Sequence, residues 1–332
     1  MDEPILKTNW ERLKAHVDLT QEKIQDLLSP YCTDPIKDFL LLSEGCANTN
    51  YKITFKNNRP SLVIRIYMRE KSALKREVAI HRLVANTIPV PKHYYFDDSC
   101  QHFPYAYSIM EWIDGRLMRE IVLSKDENAI SDIVFEAGQY LDELQKIKFD
   151  KGGFFDETLS IRPFTQEEKY LPYVLNLLQD NNIKDSLGPS LLASVQKLVE
   201  QNSHLLPDLD DANLTHSDYD PANILVREIN GRWKIATILD WEFSYSGTYL
   251  LDMGLMLRYS HKLPKYYEEK FIKGVESNGH QLPVNWKKQA KLMDLLCLLQ
   301  LAHYNPYSER PKLNRDVISL IQHTANEWGV SA

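Results

Sequence analysis

The stretch ILVREINGRWKIATILD, at 224–240, restricts the possible folds of this chain more than any other feature. Its Asn230-Gly231 pair stands between runs of alternating apolar residues. Asn-Gly supplies the two left-handed conformations that a tight hairpin turn requires. Pairing outward from that turn sets Ile229 opposite Arg232 and, further on, Asn223 opposite Ile238, with Asp240 just beyond at the same open end. An amide oxygen and a carboxylate are thereby expected side by side. Such hard oxygen ligands suit Mg²⁺, which takes one or two carboxylates and completes its shell with waters and substrate phosphates.

The elements on the two sides of the chain differ in kind. Upstream, a helical stretch from Thr20 to Tyr31 precedes strand-like runs at 39–43, 50–55, 61–67 and 105–110, with the turn signal KNNRP between the middle pair. Residues 70–86 carry apolar side chains at helical spacing and stop before Pro89 and Pro91. Beyond Gly115 the pattern turns helical, with candidate helices at 126–147, 166–179, 190–203, 266–277, 286–303 and 312–328, and the hairpin as the one β element among them. Charge divides at the same place: residues 1–112 carry 15 Lys/Arg against 14 Asp/Glu, and residues 113–332 carry 24 against 32. The expected fold class is α+β in two lobes. Residues 1–112 form a small antiparallel sheet with one main helix, and residues 113–332 form a larger, mostly helical lobe.

Composition removes several functional classes. A net charge of −7 gives no general electrostatic footprint for nucleic acid, so no nucleic-acid partner is expected. Cysteines at 32, 46, 100 and 297 form no CxxC pair, which argues against a zinc knuckle or a disulfide framework. The start, MDEPILKTNWERL, lacks a basic segment followed by an apolar run and does not read as a secretory signal. The most apolar stretch, LMDLLCLLQLA at 292–302, is short and contains Asp294 and Gln300, so it reads as a buried helix. A cytoplasmic protein without a membrane partner is the expectation.

Immediately before the hairpin, THSDYDPANILV (215–226) sets His216, Asp218 and Asn223 in an H-x-D-x-x-x-x-N spacing. Joined to an apolar strand, a tight turn and Asp240-Trp241 at the end of the return strand, this segment resembles the aminoglycoside phosphotransferase family, the small-molecule branch of the protein-kinase-like fold. The resemblance implies that Asp218 is the catalytic base, accepting or orienting the proton of a substrate hydroxyl. It implies that Asn223 and Asp240 hold Mg²⁺ against the phosphates of ATP or GTP. His216 and Asp252 would brace the catalytic loop without reacting.

Upstream, LSEGCANTNYKIT (42–54) resembles the family's nucleotide loop. Asn48 sits at the matching position, Gly45 is the only glycine, and the small residues Ser43, Cys46 and Ala47 leave room for backbone amides to approach phosphate, so Ser43 and Asn48 are expected to bind nucleotide. Arg65 lies on one strand face with Val63 and Tyr67, and Glu77 falls on the apolar stripe of the following helix. A carboxylate there needs a partner, and Arg65 is the natural one; together they would steady the α- and β-phosphates. YSIMEWIDGRLM (107–118) resembles the hinge, with Met110 as gatekeeper and the Glu111 carbonyl and Ile113 amide reading the purine edge.

Three departures stand out. Ser217 replaces the usual glycine of the catalytic loop, Gln145 replaces a common histidine, and Arg65 replaces the lysine of protein kinases, keeping charge but changing reach.

The implied activity is transfer of a nucleotide γ-phosphate to a hydroxyl of an aminoglycoside-like molecule, an amino alcohol or a sugar. Asp220 and Glu242, acidic residues close to the base, would suit a cationic acceptor. The alternative is a catalytically silent kinase-like nucleotide-binding module. A protein kinase ranks last, because Asp252 follows Asp240 too closely for an activation loop and a peptide-docking segment.

Overall fold

The computed structural model describes residues 5–12, 14–43, 47–210 and 212–329. Helix α1 (Gln21–Leu28) starts where the Thr20 side chain accepts from the Lys23 N–H at 3.2 Å, a capped helical start. Strands β1 (Ile36–Leu42), β2 (Thr49–Phe55) and β3 (Leu62–Ile66) precede helix α2 (Ser72–Val84), and β4 (His93–Asp97) and β5 (Tyr107–Glu111) complete the sheet. Its order is β1-β2-β3-β5-β4, antiparallel throughout. Along β2, Tyr51, Ile53 and Phe55 turn inward at the two-residue period of a half-buried strand. The edge strand β4 was not anticipated. Its side chains are mostly half-buried, without the alternation that marks a strand in sequence.

The second lobe begins with β6 (Arg116–Leu117), α3 (Met118–Ser124) and α4 (Glu127–Gln145), followed by the short strands β7 (Lys148–Phe149), β8 (Gly153–Phe155) and β9 (Ile161–Pro163). Helices α5 (Tyr170–Leu177) and α6 (Asn181–Asn202, broken at Gly188 before Pro189) lead to β10 (Ala212–Thr215). The hairpin strands β11 (Ile224–Ile229) and β12 (Arg232–Ile238) come next, then β13 (Tyr245–Gly247) and helices α7 (Tyr249–Leu257), α8 (Lys265–Val275), α9 (Trp286–Tyr304) and α10 (Pro311–Glu327). The Asn230-Gly231 turn has both residues left-handed, φ 53° and 76°, as the dipeptide requires. No helix among the described residues is long and apolar enough to cross a membrane.

The structure corrects three expectations. The hairpin is not the lobe's single β element: a second sheet runs β7-β10-β13-β8-β9, from strands too short to carry a readable period. The hairpin register also shifts once. Pairs run from Ile229↔Arg232 to Val226↔Ile235, then Leu225 meets Thr237, so Ala236 is an extra residue in β12. Asn223 therefore stands across from Leu239, whose N–H donates to the Asn223 carbonyl at 2.8 Å, and not from Ile238. Finally, residues 5–12, assigned by sequence to the first lobe, touch both: Leu6 joins a core that runs from α2 into the second lobe, Trp10 Nε1 donates to Asp316 on α10, and Arg12 Nη2 donates to the Ala47 carbonyl.

Candidate active site

The loop between β10 and β11 is shaped from behind by one carboxylate. Asp252, fully buried in the first turn of α7, accepts from the His216 N–H at 2.7 Å and from the Ser217 N–H at 2.8 Å. His216 adds the next constraint. Its Nε2 donates to the Leu239 carbonyl at 2.9 Å, and its Nδ1 accepts from the Asp218 N–H at 3.2 Å. One proton on Nε2 satisfies both contacts, so the ring is neutral. Burial agrees, lowering the His216 pKa to about 4. The ring packs on Trp241 with centroids 4.4 Å apart, and Tyr219, wholly buried, donates to the Ala137 carbonyl on α4 at 2.7 Å. Asp218 thus rises from a loop fixed on both sides.

The Asp218 carboxylate accepts from Asn223 Nδ2 at 2.7 Å, and the same nitrogen donates to the Asp218 carbonyl at 2.9 Å. The amide nitrogen is committed, which leaves the Asn223 oxygen as the atom available to a cation. Burial alone would raise the Asp218 pKa, but the Lys7 ammonium bonded to it outweighs burial and holds the group below the ordinary carboxylate range. Asp218 is ionised at neutral pH. Asp240 stands just beyond Leu239 in a left-handed conformation, φ 62°.

Arg65 links this point to the first lobe. Its Nη1 meets Asp240 Oδ1 at 2.7 Å, and its Nε lies 3.2 Å from Glu77 Oε2. Tyr67 donates its hydroxyl to the same Glu77 oxygen. Burial opposes the Arg65 charge, but Glu77 and Asp240 outweigh it and raise the pKa well above the usual value. Arg65 Nη2 is buried without an acceptor among the described residues, a donor left for an incoming anion.

The family-model comparison decides the affiliation: residues 38–281, more than half of the chain, match the phosphotransferase enzyme family. The chain belongs to that family. The resemblance read from the catalytic loop is borne out, and the fold agrees. A ternary complex of a thermostable aminoglycoside phosphotransferase APH(4)-Ia mutant with ADP and hygromycin B superposes with TM-score 0.62 at 15% identity, covering 90% of this chain and 97% of that one. The gentamicin complex of APH(2")-IIa gives 0.63 at 18%, covering 92% and 97%. A GDP complex of a mutant aminoglycoside 2'-phosphotransferase-IIIa gives 0.67 at 13%, covering 94% and 99%. No curated protein sequence matches the chain.

In this phosphotransferase, the remaining anticipated residues fall in two groups. Asn48 closes the loop between β1 and β2, its Oδ1 accepting from the Met68 N–H and its Nδ2 donating to Glu242 Oε2, both at 3.1 Å. Ser43 is exposed at the loop's other end; Gly45 and Cys46 lie outside the described residues. Met110 is buried in β5, and among the described residues the Ile113 N–H has no backbone acceptor. The Glu111 N–H donates to the Lys92 carbonyl at 2.9 Å. Gln145 is a packing residue, donating to buried Asp142 at 2.8 Å. Glu242 is a correction. Expected beside the acceptor, it is buried against Asn48 and bonds the first lobe, its carbonyl also taking Arg76 at 2.9 Å. Its sequence proximity to Asp240 misleads because the 3-10 turn Trp241–Phe243 carries it to the other lobe. Sequence reasoning missed Lys7, which contacts Asp218 from 211 positions away and carries no local motif.

Ser217, where the family commonly has glycine, adopts φ 72°, a conformation that costs a side-chain-bearing residue about 1–3 kcal/mol. Ser217→Gly is expected to raise stability by about 1 kcal/mol and leave turnover intact. Thermal unfolding checks this; a lowered midpoint would show that the serine side chain contributes more than its strain removes.

Acid sensitivity follows from three buried rings. His81 Nδ1 lies 3.1 Å from the Pro91 carbonyl and 3.0 Å from His93 Nε2, and burial lowers both histidines to about 3, as it lowers His216 to about 4. Folded values below the ordinary 6.5 mean that the unfolded chain binds more protons. Stability is therefore full above about pH 6.5 and lost as pH falls through the folded values. Asp252 opposes this, since burial raises it to about 7 and its ionised form is disfavoured above pH 3.8. Glu136, Asp220, Glu242 and Asp316, raised by burial, act in the same direction as Asp252. The three rings, joined by His261 lowered to about 4, act against them over this window. The urea midpoint is expected to fall between pH 6.5 and 4.5, with a shallower slope in His93→Phe. A midpoint that rises on acidification would contradict the neutral-histidine assignment.

Proposed function

We propose that the chain transfers the γ-phosphoryl group of ATP or GTP to a hydroxyl of a small molecule, with Asp218 as base and Mg²⁺ held by Asn223 and Asp240. The observation that carries this reading is the hydrogen-bonded Asp218–Asn223 pair, set across the hairpin mouth from Asp240. Asp218 is ionised and can accept the acceptor's hydroxyl proton as the oxygen attacks phosphorus.

The donor set fits a hard divalent ion. Asn223 keeps its amide oxygen, and Asp240 commits only one carboxylate oxygen, to Arg65. Among the described residues no three His, Cys, Asp or Glu side chains gather into a full metal cage, consistent with an ion that relies on nucleotide phosphates for part of its shell. When bound, Mg²⁺ supplies positive charge against those phosphates.

The rest of the site supports nucleotide binding. Arg65, steadied by Glu77, offers its unpartnered Nη2 to a phosphate oxygen. Ser43 and Asn48 border the nucleotide loop, and Met110, Glu111 and Ile113 would line the purine edge. The hinge at 112–113 would divide a nucleotide lobe from a catalytic and acceptor lobe. Asp220, buried beside the base, favours an acceptor with an ammonium group, such as an aminoglycoside or amino alcohol, over a sugar. The ADP, GDP, hygromycin B and gentamicin bound by structural neighbours fit this reading.

One observation favours a silent module instead: Lys7 sits on Asp218. A coupled nucleotide-consumption screen across aminoglycosides, macrolides, amino alcohols and sugars, with Asp218→Ala as blank, separates the two. Acceptor-dependent, Mg²⁺-dependent consumption supports a kinase. Tight nucleotide binding without turnover on any acceptor supports the module.

A further inference from the structure

The segment 5–12 makes a set of contacts that a loosely held segment would not make. Lys7 Nζ reaches Asp218 Oδ1 at 2.5 Å and also bonds Asp220 Oδ2, with its side chain only 13% exposed. Around it the backbone is held in an uncommon form: Leu6, Lys7 and Asn9 are all left-handed, φ 53°, 58° and 62°. Such conformations persist where surrounding contacts over-determine them. Those contacts are present. Trp10 Nε1 donates to Asp316 Oδ2 at 2.9 Å, alongside the Tyr259 hydroxyl at 2.6 Å. The Glu11 carboxylate takes the backbone N–H groups of Lys312 and Leu313 at 2.8 and 3.1 Å, capping the first turn of α10, and Arg310 bonds the Glu11 carbonyl. On the other side, Arg12 Nη2 donates to the Ala47 carbonyl at 2.6 Å, at the end of the nucleotide loop.

The consequence for Asp218 is direct. One of its oxygens is taken by Asn223 and the other by Lys7. Each oxygen keeps a second lone pair, but the ammonium fills the space between Asp218 and Asp220, where a cationic acceptor would have to sit to bring its hydroxyl to the base. An ammonium has no free lone pair, so Lys7 cannot itself attack phosphorus. Burial alone would lower the Lys7 pKa, but Asp218 and Asp220 together raise it above the ordinary value, so the group keeps its charge at any neutral pH.

We propose that residues 5–12 form an intramolecular plug in which Lys7 occupies the acceptor's place at Asp218 and Asp220, and that turnover requires its withdrawal. The proposal rests on the phosphotransferase reading above. Its links to α10 and to Ala47 make the plug a strap between the two lobes, so a movement of either lobe pulls on the lysine.

Two measurements on the full chain test it. The first is nucleotide hydrolysis with Mg²⁺ and no added acceptor. Water then replaces the alcohol: its oxygen bonds to the γ-phosphorus as the bond to the diphosphate oxygen breaks, and its proton passes to Asp218. Lys7→Met is expected to raise this rate by at least about tenfold, the increase that follows if the open form is about 10% populated or less. Lys7→Arg, which keeps the charge, is expected to stay near the wild-type rate, and Lys7→Met combined with Asp218→Ala to lose the gain. A Lys7→Met rate at or below wild type, with wild type active and Asp218→Ala inactive, overturns the plug and leaves the phosphotransferase reading standing.

The second measurement needs no catalysis. Amine-reactive labelling read by mass spectrometry is expected to modify Lys7 far more slowly than Lys265, whose side chain is 92% exposed. Glu11→Ala, which releases the anchor on α10, is expected to speed Lys7 labelling. Equal labelling of Lys7 and Lys265 in the wild-type chain overturns the plug whatever the enzyme transfers. Inactivity of every variant with Lys7 still protected overturns the phosphotransferase reading, and with it the plug's regulatory role.

Discussion

Asp218→Asn is expected to lower acceptor-dependent nucleotide turnover by about 10²–10⁴-fold, the range for loss of a positioned general base, with little change in nucleotide affinity. The substitution is nearly isosteric, and the loop around it does not depend on the lost charge. Its backbone is held by Asp252, by the His216 ring and by Tyr219 on α4. In the proposed reading nucleotide affinity draws on other residues, chiefly Arg65, which is paired with Glu77, and the hinge. The effect should therefore fall on kcat. A loss confined to KM would instead make Asp218 a binding group.

Asp252→Ala is expected to be the most damaging single change to stability, by about 3–5 kcal/mol. It removes a buried carboxylate that satisfies two backbone N–H groups, and each orphaned donor costs about 1–3 kcal/mol. The truncation also leaves a cavity in the first turn of α7, where the side chain is fully buried. Ser217 sharpens the effect, since its left-handed backbone is held by one of those two bonds. Urea unfolding should show the lower midpoint, and the folded fraction should turn over slowly because Asp218 is no longer fixed. Near-wild-type stability in Asp252→Ala would mean that the loop holds its shape by other means.

Much of the site was legible because its parts are local. The Asn230-Gly231 turn, the run from His216 to Asn223 and the Asp240-Trp241 pair lie within one short stretch, and each residue type has a physical reason to be there. The strand cation and helix carboxylate were legible for a related reason: Glu77 on an apolar stripe demands a partner, and Arg65 supplies it. What failed is what sequence separation hides. Ala236 gives no sign that it is the bulged residue that moves Asn223 from Ile238 to Leu239. The second sheet is built from strands of two to four residues, shorter than a period can reveal. Glu242 neighbours Asp240 in sequence, yet a single 3-10 turn carries it to Asn48. Lys7 is placed by tertiary contacts from Trp10 and Glu11 to α10, and no property of its own neighbourhood announces them.

In the proposed mechanism Asp218 handles the proton, and Asp240, together with Asn223, handles the ion. Equilibrium binding of ATP with and without Mg²⁺, in wild type, Asp218→Asn and Asp240→Ala, tests it most directly. Mg²⁺ should tighten ATP binding in wild type and in Asp218→Asn alike, and should have no effect in Asp240→Ala. An Asp240→Ala chain that still binds ATP more tightly with Mg²⁺ and turns it over at the wild-type rate would contradict the account.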